Sequence, residues 1–169
     1  MYDFRSYDEA FGTWALLHQA WYVLRKSEER KLAKAGLTPE KLELLWVCNA
    51  HPGPLTPAEI SRATHRENQT TAGLLNRMEK EGLVRRVPKR KGRPFTEVQM
   101  TAKGQELFER GRKVALPHIR KLVSGLSTGE LKQLQKLLRT LRQSALEELH
   151  LELLPPPSWL GREVRDTER

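Results

Sequence analysis

Residues 55–94 read LTPAEISRATHRENQTTAGLLNRMEKEGLVRRVPKRKGRP, and three changes of pattern within this stretch decide the fold. Thr56 is an N-cap, Pro57 takes the first helical position, and Glu59 completes a capping box that Leu55 and Ile60 bracket as a hydrophobic staple. A helix of about two turns is expected there, running out between Ala63 and Arg66. A second helical period begins near Asn68 and carries Thr71, Leu74, Leu75 and Met78 inward until Gly82 stops it. Beyond Gly82 the period becomes extended. LVRRV and TEVQM alternate on either side of the basic, Pro- and Gly-containing PKRKGRP, which predicts a two-stranded hairpin. Two helices joined by a tight turn and followed by a basic hairpin make a winged helix-turn-helix.

The flanking sequence is helical on both sides. Thr38 and Pro39 repeat the cap-and-proline device, stapled by Leu37 and Leu42, and predict a helix to about His51. Upstream, Phe11, Trp14, Leu17, Trp21 and Leu24 recur in steps of three and four within a helix over 8–34. Downstream, Thr101 caps a helix to about Val123, which Pro117 should kink or split because it lacks an N–H. Ser127 and Glu130 form another capping box, with Leu126 and Leu131 as its staple. The helix they open carries Leu131, Leu134, Leu138, Leu141 and Ala145 on one stripe, widened by Leu137, Leu146 and Leu149. That stripe must pack on the preceding helix, on the first helix or on a second copy of the chain.

The expected fold is therefore mainly α with a small β wing, a winged helix-turn-helix plus a flanking helical region. Residues 1–154 form one domain, with the winged lobe over about 38–100 and the flanking helices over about 8–34 and 101–150. Residues 155–169 are a Pro-rich, charged tail with little to bury.

Thirty Lys and Arg against 21 Asp and Glu leave a formal charge of +9 on 169 residues, a balance that attracts polyanions. One cysteine excludes an intramolecular disulfide, and the opening MYDFRSYDEAF has neither a basic n-region nor an apolar h-region. No apolar stretch approaches the roughly 20 residues that a membrane span needs. These features predict a soluble, cytoplasmic chain without membrane association. No nucleophile, acid–base or metal-ligand arrangement with defined spacing stands out, so neither an enzyme nor a cofactor is expected.

Charge becomes informative through its position. With Thr71, Leu74, Leu75 and Met78 inward, the helix after the turn leaves Gln69, Thr70, Ala72, Gly73, Asn76, Arg77 and Lys80 outward. Amides, hydroxyls and a guanidinium suit base edges and phosphates in a major groove, and small residues let the backbone approach. The hairpin carries Arg85, Arg86, Lys89, Arg90, Lys91 and Arg93 with no acid among them. Such a protruding tip fits phosphates or a narrow minor groove, where Arg90 or Arg93 would insert. A basic loop is often only a solvated surface, but one that directly follows a helix-turn-helix has a nucleic acid within reach.

GPLTPAEIS, LLNRMEKEGLVRR and MTAKGQEL together resemble the signature of the MarR family of transcription regulators, over roughly residues 10–150. The resemblance implies a homodimer built by the first and last two helices. It also implies major-groove reading by Asn68, Gln69, Thr70, Ala72, Gly73, Asn76 and Arg77, and a wing contact from Arg93. The family wing usually holds an Asp, a spacer and an Arg that brace one another, where this chain has Gly92, Arg93 and Pro94. Members often hold a small aromatic effector where the dimer region meets the DNA-binding lobe. Trp14, Trp21 and Trp46 read first as core, and with His18 they are the candidates for such a pocket.

Cys48 and His51, three apart on one helix, read as a core thiol and a helix-terminal imidazole rather than a zinc or redox pair, since two ligands are too few. The expected function is a double-stranded DNA-binding regulator, a homodimeric repressor of a pseudo-palindromic operator released by a small effector. The alternative is a winged helix used as a protein-interaction module, against which the basic wing argues.

Overall fold

The computed structural model describes residues 8–51, 55–88 and 96–151. Among these the order is α1 (Glu9–Ala33), α2 (Pro39–Ala50), α3 (Pro57–Thr64), α4 (Asn68–Lys80), β1 (Val84–Pro88), β2 (Thr96–Met100), α5 (Ala102–Val123) and α6 (Thr128–Glu148). Six helices and a two-stranded antiparallel wing are the mainly α winged helix-turn-helix expected from the sequence.

The capping chemistry sets the helix starts. The Thr56 N–H donates to Glu59 Oε2 at 2.6 Å while the Glu59 N–H donates to Thr56 Oγ1 at 3.2 Å. Ser127 and Glu130 do the same at the head of α6. The Lys41 and Gly104 N–H groups donate to the hydroxyls of Thr38 and Thr101. One cap escapes the sequence reading: Asp8 accepts from the Phe11 N–H at 2.8 Å and opens α1. Between α3 and α4 the turn runs through His65 in the left-handed conformation, φ 50°.

The staple residues Leu37, Leu42, Leu55 and Ile60 join Leu44, Leu45, Leu74, Leu75, Met78, Leu83, Val84, Val98 and Phe108 in one core. α2, α3, α4, the wing and the first half of α5 enclose it. The Val98 N–H donates to the Leu55 carbonyl at 2.7 Å, so the segment before α3 adds a third short rung to the wing sheet.

Pro117 neither ends nor divides α5, which is one helix from Ala102 to Val123. The proline is exposed, while Ala115 and His118 beside it are buried, and this packing holds the helix through one missing N–H. Most of the leucine stripe of α6 is left exposed by the described residues. Of α6 only Leu146 is buried among the described residues, and Leu137 and Leu141 stand 54% and 49% exposed. Nor are Trp14 and Trp21 core, contrary to their first reading: they are 56% and 61% exposed, because the N-terminal half of α1 stands clear of the other helices.

Candidate nucleic-acid interface

α4 is the centre of the candidate interface, about 20 Å long at 1.5 Å per residue and able to lie across a major groove. It buries Thr71, Leu74, Leu75 and Met78, as the periodicity requires. Asn68, Gln69, Thr70, Asn76, Arg77 and Lys80 are exposed, and Ala72 and Gly73 are half-buried. The sequence-predicted reading face is thus a single surface. Arg77 has no ion-pair or hydrogen-bond partner among the described residues, which leaves its guanidinium available. Arg62 and His65 at the end of α3 are exposed beside the turn and extend the same polar surface. Nothing in the pattern of the two-turn α3 marks them in the sequence, and only their place beside α4 does.

Gly73 sits in the middle of α4, and a Cβ built there would meet nothing within 4 Å. Packing therefore does not require the glycine. Gly73→Ala is expected to raise stability by about 0.5–1 kcal/mol through helix propensity and to weaken duplex binding if the groove approaches that backbone. Thermal denaturation and a duplex titration of the same variant check both signs.

The two arginines of β1 have different roles. Arg85 lies opposite Gln99 in the ladder and donates Nε and Nη2 to its Oε1 at 3.2 and 2.9 Å on the exposed face. Arg86 corrects the sequence reading, which had it facing phosphates. Its cross-strand partner is the buried Val98, so alternation turns its side chain back toward α4. There Arg86 Nη1 donates to Asn76 Oδ1 at 2.6 Å, Nη2 to the Ala72 carbonyl at 3.4 Å, and the backbone N–H to Glu79 Oε1 at 2.8 Å. Arg86 ties the wing to the reading helix, a different brace from the Asp-spacer-Arg pattern that Gly92, Arg93 and Pro94 lack. Lys89, Arg90, Lys91 and Arg93 lie outside the described residues.

The four residues of the predicted effector pocket are not assembled. Trp14 and His18 stack along α1 with ring centroids 4.0 Å apart, whereas Trp46 packs edge-on against Phe108 at 5.5 Å. α1 meets α2 where Arg25 pairs with Glu40, a level about 16 Å along the helix axis from Trp14. At that seam Ser27 Oγ lies 3.1 Å from Nε2 of the buried His118, and burial pushes the Glu28 carboxyl up against the pull of Arg25. No group of three or more potential metal ligands occurs among the described residues.

Cys48 packs against the core, and burial pushes its thiol up to about 12. A thiol so raised stays protonated throughout the neutral range. Cys48 is therefore expected to react with a thiol reagent at pH 8 far more slowly than an exposed cysteine. Rapid stoichiometric labelling of the folded protein would show the burial to be wrong.

Residues 35–93 match the model of the MarR family. No curated protein matches the chain closely enough to count as a relative. Solved structures do match it. The 2,4-dichlorophenol-bound form of the organohalide-sensing RdhR transcriptional regulator superposes with a TM-score of 0.77 at 20% identity, over 92% of this chain and 97% of that one. The Staphylococcus aureus MepR–DNA complex gives 0.73 at 23% identity, over 83% and 99%. AbsC, a MarR-family regulator from Streptomyces coelicolor, gives 0.76 at 21%, over 84% and 98%. The fold is that of MarR-type transcription regulators, and the resemblance carried by GPLTPAEIS, LLNRMEKEGLVRR and MTAKGQEL is borne out. No helix of the described residues is long and apolar enough to cross a membrane.

Proposed function

We propose that this chain, whose residues 35–93 match the MarR family and whose described residues take the MarR-type fold, is a sequence-specific double-stranded DNA-binding regulator. It works as a cytoplasmic homodimer that represses by covering a pseudo-palindromic operator. The observation that carries this reading is the exposed face of α4, polar and small, beside Arg77, unpaired among the described residues, and a strand that leads into a run of basic residues. The lobe over about 38–100 presents that face, and α1, α5 and α6 pair the two copies. Support for DNA as partner comes from a MepR–DNA complex on the same fold.

A small aromatic effector is part of the proposal, supported by the dichlorophenol-bound relative. Such a molecule releases DNA by binding more tightly to a dimer whose reading helices are wrongly spaced than to the DNA-competent one.

Arg77→Ala is expected to weaken operator binding about tenfold or more, and Arg93→Ala to weaken it while lowering the slope of log affinity against log salt by about one. Titrations at several salt concentrations test both. Unchanged affinity in both variants would refute the assignments, and a wild-type chain that ignores duplex DNA and heparin at low salt would make the fold a protein-docking module.

A further inference from the structure

The contact between Arg86 and Asn76 has a consequence for base recognition. Asn76 lies three, four and seven residues beyond Gly73, Ala72 and Gln69, so it shares their outward face of α4, and it is exposed. An asparagine amide can be turned either way, but an arginine has donors and no acceptor. The 2.6 Å contact with Arg86 Nη1 therefore fixes the Asn76 carbonyl oxygen toward the guanidinium and leaves its NH2 to face outward. Arg86 is itself held by the Ala72 carbonyl and, through its backbone, by Glu79, so this orientation is set by the fold. A free asparagine reads adenine bidentately, accepting from N6 and donating to N7. Here one of the two lone pairs of the carbonyl is engaged, and the guanidinium, which Glu79 also holds at 3.6 Å, opposes an incoming amino group while strengthening the outward N–H groups as donors.

We propose that Asn76 and Arg86 form one specificity unit in which Arg86 positions Asn76 as a pure donor, so that one base pair of each half-site is selected for guanine, with its O6 and N7 acceptors, over adenine. The assignment rests on α4 being the reading helix. Its test is selection from a randomised duplex pool with the full-length chain, followed by affinities for duplexes that differ at single positions. Wild type prefers guanine over adenine at one position per half-site by about five- to tenfold, at the low end of what a full bidentate pair gives. Asn76→Ala flattens that position alone. Arg86→Met, which keeps the length of the side chain and removes its donors, moves the preference at the same position toward adenine. Asn76→Ala lies on an exposed surface and keeps the test valid should Arg86→Met unfold, which its thermal melt would reveal.

An Asn76→Ala motif identical to wild type overturns this assignment and leaves DNA reading by α4 in place. So does an adenine preference in wild type at the position that Asn76→Ala flattens. A wild-type chain that enriches no sequence defeats the specificity unit and the regulator reading together.

Discussion

Replacing Leu137 and Leu141 together by glutamate is expected to convert a dimer into folded monomers and to lower operator affinity by two orders of magnitude or more. The two leucines stand 54% and 49% exposed on α6, in a stripe with Leu134 and Leu138, and Trp14 and Trp21 are exposed on α1. A soluble chain rarely leaves contiguous apolar surface of this extent to water, and fully covering one leucine is worth about 1.5–3 kcal/mol. Among the described residues none of α6 belongs to the hydrophobic core, so the substitutions spare the fold. The loss in affinity follows from valency, since two linked reading helices bind some 10²–10⁴ times better than one. Light scattering and a duplex titration of the double variant test this. A dimer of undiminished affinity would move the interface elsewhere.

Gly104→Ala is expected to destabilise the chain by about 3 kcal/mol or more, at the upper end of overpacking costs. A Cβ at Gly104 would lie 2.1 Å from the Leu83 carbonyl oxygen and 2.9 Å from Met100 Cγ. The obstacle is backbone, and that backbone cannot move freely. The Thr101 N–H donates to the Leu83 carbonyl at 3.1 Å, and the Thr101 hydroxyl donates to the Gly82 carbonyl at 2.7 Å, so the start of α5 is sewn to the strand it would have to leave. A melting temperature lower by roughly 6–12 °C is the expected reading for a chain of this size. Gly129→Ala, where a Cβ meets nothing within 4 Å, is the control and should not lower it. Equal melting of the two variants would show the seam to be looser than described.

Much of this architecture is legible in local sequence because helix starts are short-range chemistry. Thr56 with Glu59 and Ser127 with Glu130 satisfy each other's backbone groups within one turn, so four residues suffice to place a helix. The outward face of α4 follows from period alone. Pro117 does not split α5, because the rule for proline counts one lost hydrogen bond, whereas burial of Ala115 and His118 on either side decides the outcome. Arg86 was placed with the phosphate contacts because its neighbours in sequence are basic. Its side chain follows the register of β1 on β2 instead, and the alternation of Val84 inward and Arg85 outward already carried that signal. The tryptophans of α1 and the leucines of α6 have the spacing of core residues, and periodicity cannot say whether the surface they cover belongs to the same chain.

The proposed regulator requires two α4 helices to meet one face of a duplex. Hydroxyl-radical footprinting on the best selected duplex, with the number of bound chains counted on the same complex, tests it most directly. Two chains per duplex and a two-fold symmetric footprint with half-sites about 10 base pairs apart are predicted. One chain per site, or protection that follows no sequence, would contradict it.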